Sequence, residues 1–130
     1  MAKRTVKIIN AEIKALTKER DLIEERVNKK YFKKFIDDGA VGRWYNLHKS
    51  GTYYLMTSAT YDGDALRTKG IRVTIKQAGC FPDMREDLTE SVFCPEAIPT
   101  TFVPASYNEV AEIKHAFNKA ISNYKEKLGF

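Results

Sequence analysis

The chain is poor in the residues that build covalent or metal staples, with two cysteines, two histidines, four prolines and one tryptophan among 130 residues. Cys80 and Cys94 are too few for a disulfide framework and fit a reducing compartment as free thiols. The apolar neighbours Ala78 and Phe81 suggest that Cys80 is buried and inert. His48, Cys80, Cys94 and His115 form no C-x-x-C or H-x-x-x-H pair, so the spacing of a structural zinc site is missing. Long apolar runs are missing too. The longest uncharged stretches, Ser50 to Tyr61 and Ala97 to Asn108, last about a dozen residues against the ~20 a membrane span requires. Met1 to Lys7 are charged and lack the apolar core of a secretory signal, which makes a cytoplasmic location the expectation. No G-x-S-x-G, H-E-x-x-H or P-loop pattern occurs, and nothing calls for a cofactor.

What is present is enough apolar material, 43% of the chain, to fold residues 1–130 as one domain around a core. Charge is uneven. Residues 1–79 carry 17 Lys and Arg against 9 Asp and Glu, residues 80–112 are net −6, and residues 113–130 are net +3. An acidic segment therefore lies between two basic ones.

From Asn10 to Asp38 the pattern is helical, with Asn10 as a possible cap and Gly39 suited to the left-handed position beyond the end. Ile9, Ile13, Leu16, Ile23, Val27, Tyr31 and Phe35 recur on one face, interrupted by Arg20. Such a helix is about 43 Å long at 1.5 Å per residue, so it either projects from a domain of this size or breaks, with Asn28 a plausible break.

Arg43 to His48 and Thr52 to Tyr61 are rich in strand-forming residues and flank a hairpin turn at Lys49-Ser50-Gly51. In Ile71 to Gln77, Ile71, Val73 and Ile75 alternate with Arg72, Thr74 and Lys76, which predicts a strand with one wet face. Residues 80–105 read as an acidic, proline-containing loop. Within it, Pro82-Asp83 could open a short helix carrying Met84, Leu88 and Val92, and Thr101-Phe102-Val103 could add an edge strand. Ser106-Tyr107-Asn108-Glu109 matches a capping box. It opens a helix whose stripe runs through Val110, Ile113, Phe117, Ile121, Tyr124 and Leu128 to a stop at Gly129. The expected fold is α+β: a long N-terminal helix, an antiparallel sheet of three to four strands, and a C-terminal helix on one sheet face.

Two features point to a partner surface. Arg26, Lys29, Lys30, Lys33 and Lys34 cluster on the first helix as like-charged i,i+4 neighbours, which nothing local favours, and could neutralise phosphates. A solvated helix face, partly offset by Glu25, Asp37 and Asp38, explains them as well. The second feature is the hairpin, where Trp44 and Tyr45, and likewise Tyr53 and Tyr54, must point to opposite faces. Rings left uncovered beside Arg43, Arg72 and Lys76 would form a stacking platform or a protein-binding patch. Phe81, Phe93, Ile98 and Phe102 of the acidic segment could instead cover that face, or its acids could shield the cations.

The leading expectation is a non-enzymatic protein gripping an anionic ligand: nucleic acid, a nucleotide or an acidic protein surface. Arg26, Lys29, Lys30, Lys33, Lys34, Arg43, Tyr45, Tyr54, Arg72 and Lys76 would do the work. Second stands a protein-interaction module whose first helix pairs with its own copy or another chain, in the style of an inhibitor or adaptor from a phage or mobile element. An enzyme ranks third, because it needs Asp62, Asp64, Arg67, His48 and Cys80 to converge. Asp62-Gly63-Asp64 is also ordinary turn chemistry.

Overall fold

Four consecutive strands form an antiparallel meander, and a fifth closes its far edge. The computed structural model describes residues 5–77 and 80–130, so Met1 to Arg4 and the Ala78 neighbour of Cys80 lie outside it. Helix α1 (Val6–Asp37) precedes strands β1 (Trp44–Leu47), β2 (Thr52–Tyr61), β3 (Leu66–Thr74) and β4 (Asp83–Val92). A 3₁₀ turn (Pro95–Ala97) and the single turn α2 (Ile98–Thr101) lead into β5 (Phe102–Pro104), and α3 (Tyr107–Leu128) ends the chain. The sheet order is β4-β3-β2-β1-β5, with every pair antiparallel. This is the expected α+β architecture with five strands instead of three or four.

The β1–β2 turn places His48 and Lys49 at φ 52° and 55° and Gly51 at φ 82°. Asn46 Oδ1 accepts the Gly51 N–H at 2.9 Å, which clamps the turn's ends together. Parity then sorts the hairpin's rings. Tyr45 and Tyr54 face one side with Leu47 and Met56, while Trp44 and Tyr53 face the other.

Both sides are covered. On the first, Phe32, Phe35 and Ile36 of α1, with Ile98 of the crossover from β4 to β5 and Phe102 of β5 itself, seal an aromatic core. Phe102 stacks on Phe35 at 5.9 Å between centroids and on Tyr54 at 6.1 Å, and meets Tyr45 edge-on at 5.6 Å. On the second, Ile113 and Phe117 of α3 pack on Tyr53, Val73, Trp44, Ile71 and Ile75. The alternation read in the third strand therefore holds, although that strand begins at Leu66 and ends at Thr74.

Some local expectations are corrected. Residues 83–92 are a strand, not a short helix. Met84, Leu88 and Val92 do not share a side either. Val73 pairs with Met84, but one extra residue of β4 intervenes before Gly70 pairs with Leu88, near Asp87 at φ 55°. That bulge moves Leu88 and Val92 to the crossover side. Helix α1 starts earlier than expected, with Thr5 as its cap accepting the Ile8 N–H. It also runs unbroken through Asn28, whose side chain donates to the Gly63 carbonyl at 3.3 Å. The left-handed Gly39, at φ 89°, and the edge strand at Phe102 fall where the sequence put them.

Candidate interaction surface

Helix α1 has two apolar faces, and the sheet uses only one. The docked face belongs to its last third. Phe32 is completely buried, Phe35 and Ile36 join the core, and the Glu25 stem lies against Gly63. N-terminal to Glu25 every described residue of the helix is exposed, so this part stands off the body as an arm. Along the arm Val6, Ile9, Ile13, Leu16, Ile23 and Val27 remain uncovered, with Ile13, Leu16 and Ile23 at 56%, 65% and 54% exposure. At 100° per residue these side chains spread from about 80° (Val6) and 100° (Ile13) to 180° (Ile23) round the helix from Phe32. None lies on the docked side. The long stripe read in the sequence therefore divides, with Phe35 entering the core and the rest facing solvent.

The basic cluster borders this free stripe. Arg26, Lys29, Lys30, Lys33 and Lys34 are all exposed, and none has an ion-pair partner among the described residues. The acids of the arm behave differently, since Arg20 reaches Asp21 at 3.5 Å and Glu24 at 3.9 Å.

The sheet half of the expected site does not assemble. Tyr45 and Tyr54 retain 3% and 0% of their surface, because α1 and the crossover supply the second layer that would have to be absent for a stacking platform. Burial raises the pKa of both phenols. Tyr45 donates to the Ala40 carbonyl at 2.7 Å, and Tyr54 donates to the Leu88 carbonyl at 3.0 Å with Thr68 Oγ1 also at 3.0 Å. These are satisfied core hydroxyls. Arg72 lies beside Tyr54 in an ion pair with Glu90, and Lys76 reaches Asp83 at 3.5 Å. Acids of β4 thus pair with both cations from within the sheet. Arg43 bends back to the Asp38 carbonyl at 3.3 Å.

The enzyme constellation is dispersed. Asp62 Oδ1 accepts the N–H groups of Asp64 and Ala65 at 2.8 and 2.9 Å, and its Oδ2 accepts from Arg67 at 2.8 Å. Those backbone N–H groups, with Arg67, hold its carboxyl below the usual range, which marks a tight turn. His48 sits at the opposite end of β2. Cys80 is exposed, contrary to expectation, with its Sγ near Gln77. Among the described residues no group of three or more His, Cys, Asp or Glu is arranged to hold a metal ion. Among the described residues no helix is long and apolar enough to cross a membrane.

No family model, curated protein or solved structure matches the chain. The arm and its flanks must therefore be read on their own physics.

What keeps the sheet's other face closed is the start of α3. The capping box is complete: Ser106 Oγ accepts the Glu109 N–H at 3.1 Å and Glu109 Oε1 accepts the Ser106 N–H at 3.0 Å. Glu109 Oε2 also accepts from Asn46 Nδ2 at 2.9 Å, which ties the cap to β1. The Ser106 N–H first, then Asn46, hold the Glu109 carboxyl below its ordinary 4.5. A carboxylate so favoured stabilises the fold above its unfolded value and loses that contribution as pH falls through its folded one. Glu109→Gln is therefore expected to destabilise the protein at neutral pH. The difference from the parent should shrink steadily below about pH 4.5. Urea titrations at a series of pH values check this, and a gap independent of pH would assign Glu109 a packing role only.

Proposed function

We propose that this protein is a non-enzymatic interaction module that engages another protein chain through the α1 arm. One observation carries the reading: Ile13, Leu16 and Ile23 are presented side by side on the face of a helix turned away from its own core. An isolated arm of this kind gains little from helix propensity alone, and an apolar stripe in water favours a covering partner. Cross-linking mass spectrometry in an extract of the native host tests this. Lys14 and Lys18 on the arm are expected to link to another chain, and the double variant Ile13→Glu, Ile23→Glu should lose those links. Links confined to the lysines of the sheet, unchanged in the variant, would discard the reading.

A second reading rests on Arg26, Lys29, Lys30, Lys33 and Lys34, the exposed cations without acidic partners. They suit an anionic ligand, nucleic acid included, on the flank of α1 instead of the sheet. Binding to a nucleic-acid duplex through four or five phosphate contacts should then weaken with a log–log salt slope of about −4. A titration with no binding at low salt removes this branch.

A further inference from the structure

We propose that the arm's partner is a second copy of this chain, paired with it as an antiparallel two-stranded coiled coil over Val6 to Val27; this deepens the interaction reading above and rests on it. The free stripe is spaced 3-4-3-4-3-4: Val6, Ile9, Ile13, Leu16, Arg20, Ile23 and Val27. That is a 3.5-residue repeat over three heptads, the pattern that keeps one seam facing a partner helix. With Val6 at position a, the a residues are Val6, Ile13, Arg20 and Val27, and the d residues are Ile9, Leu16 and Ile23. The body is out of the way. It docks on Glu25, Asn28, Phe32 and Phe35, which occupy f and b positions across the helix from the seam. The seam also stops where the body begins, because Lys30 and Lys34 take the next d and a positions and both are exposed.

Charge chooses the direction. A parallel pair would stack Arg20 on the partner's Arg20 in the core and set each Glu19 against the partner's Glu24. It would gain no attraction in return, since Glu12 would meet the partner's Thr17 and Arg26 the partner's Tyr31. The g flank reads Glu12, Glu19, Arg26 and Lys33, acidic in its first half and basic in its second. Reversing one helix sets acid against base, because g positions then meet g positions. With Ile13 level with the partner's Ile23, Ile9 meets the partner's Val27 and Glu12 lies beside the partner's Arg26, each contact occurring twice. Arg20 then sits against the partner's Leu16, and its long stem can run along that apolar layer. The like-charge contact left at the dyad, Glu19 against the partner's Glu19, has the Arg20 of both chains beside it.

Sedimentation velocity of the purified full chain across the micromolar range is the first measurement, and a reversible dimer is the expected result. Ile13→Glu with Ile23→Glu, both exposed in the single chain, should leave the circular dichroism of the body intact and weaken the dimer about 30-fold or more. Leu16→Glu should do less harm, since it faces the partner's Arg20. Orientation is read by oxidation in a Cys80→Ser, Cys94→Ser background. Mixing Ile9→Cys with Val27→Cys chains should give the mixed disulfide, while Ile9→Cys alone should not link to itself. Self-linking of Ile9→Cys chains would mean parallel pairing and overturn the orientation. A monomer at every concentration would overturn the second copy as partner while leaving the extract cross-links to judge the interaction reading. A dimer indifferent to Ile13→Glu and Ile23→Glu would place its interface elsewhere and overturn the coiled coil, with the extract cross-links again judging the interaction reading.

Discussion

Replacing Phe32 with alanine is expected to cost about 3–5 kcal/mol, the range for deleting a ring from a packed core. For a chain of this size that is a fall in the melting midpoint on the order of 10–20 °C. Phe32 is the residue of α1 whose side chain is wholly enclosed, set between the sheet and the crossover. Its loss removes the central anchor of a helix that otherwise holds on through Phe35, Ile36, the Asn28 amide and the Glu25 stem. Leu16→Ala is the matched comparison. Leu16 is 65% exposed, so its truncation should shift the midpoint of the monomer by little beyond a few tenths of a kcal/mol. Thermal melts of both variants at low protein concentration, where association is suppressed, make the test. Equal losses would mean that the arm packs on its own body in solution, which would remove the free stripe.

The contrast between Phe32 and Leu16 also shows where the sequence was readable. Spacing established that Ile9, Ile13, Leu16, Ile23 and Val27 share a face, but periodicity says nothing about which element covers a face. The docked face uses Phe32, which lies off that stripe and among lysines, and its partners are Tyr54, Ile98 and Phe102, distant in sequence. Elements closed by local chemistry were legible: the capping box at Ser106 and Glu109, the left-handed Gly39, and the hairpin at Gly51. Strand β4 was not. Its apolar residues Met84, Leu88 and Val92 are four apart, a spacing that satisfies a helical stripe and a strand's period of two equally well. The bulge near Asp87 then breaks even the strand pattern. For the hairpin's rings the parity argument was sound, and Trp44 and Tyr45 do face opposite sides. Of the residues that could cover the second face, Ile98 and Phe102 do so together with Phe32, Phe35 and Ile36 of α1, while Phe81 and Phe93 stay exposed. Of the ten residues expected to bind a ligand, the five on α1 remain exposed with no ion-pair partner among the described residues. Arg72 and Lys76 were claimed by Glu90 and Asp83, pairings that depend on a register no local signal discloses.

Gly70→Ala is expected to destabilise the protein by about 3 kcal/mol or more, at the upper end of overpacking costs. Gly70 is in the middle of β3, paired with Met56 on one side and Leu88 on the other. A Cβ placed there would intrude on the Leu55 carbonyl oxygen and come within 2.6 Å of Tyr54 Cζ. The ring has no room to retreat, because its hydroxyl is held by Thr68 and Leu88 and its other face stacks on Phe102. Gly42→Ala offers a calibration. Gly42 has φ 88° with nothing within 4 Å of where an alanine methyl would sit, so its replacement should cost only the left-handed backbone strain, about 1–2 kcal/mol. Adding Tyr54→Leu to Gly70→Ala should relieve the ring contact but not the carbonyl one, so the two changes should couple favourably without restoring the parent midpoint. The result bears on function. A Gly70→Ala protein that kept its midpoint would show that Tyr54 can leave the core at little cost, and the cations beside it, Arg72 first, would again have an aromatic surface with which to meet an anionic ligand. A large loss, with the parent's near-ultraviolet dichroism unchanged across ligand titrations, keeps the ring as structure and removes the sheet face as a candidate surface.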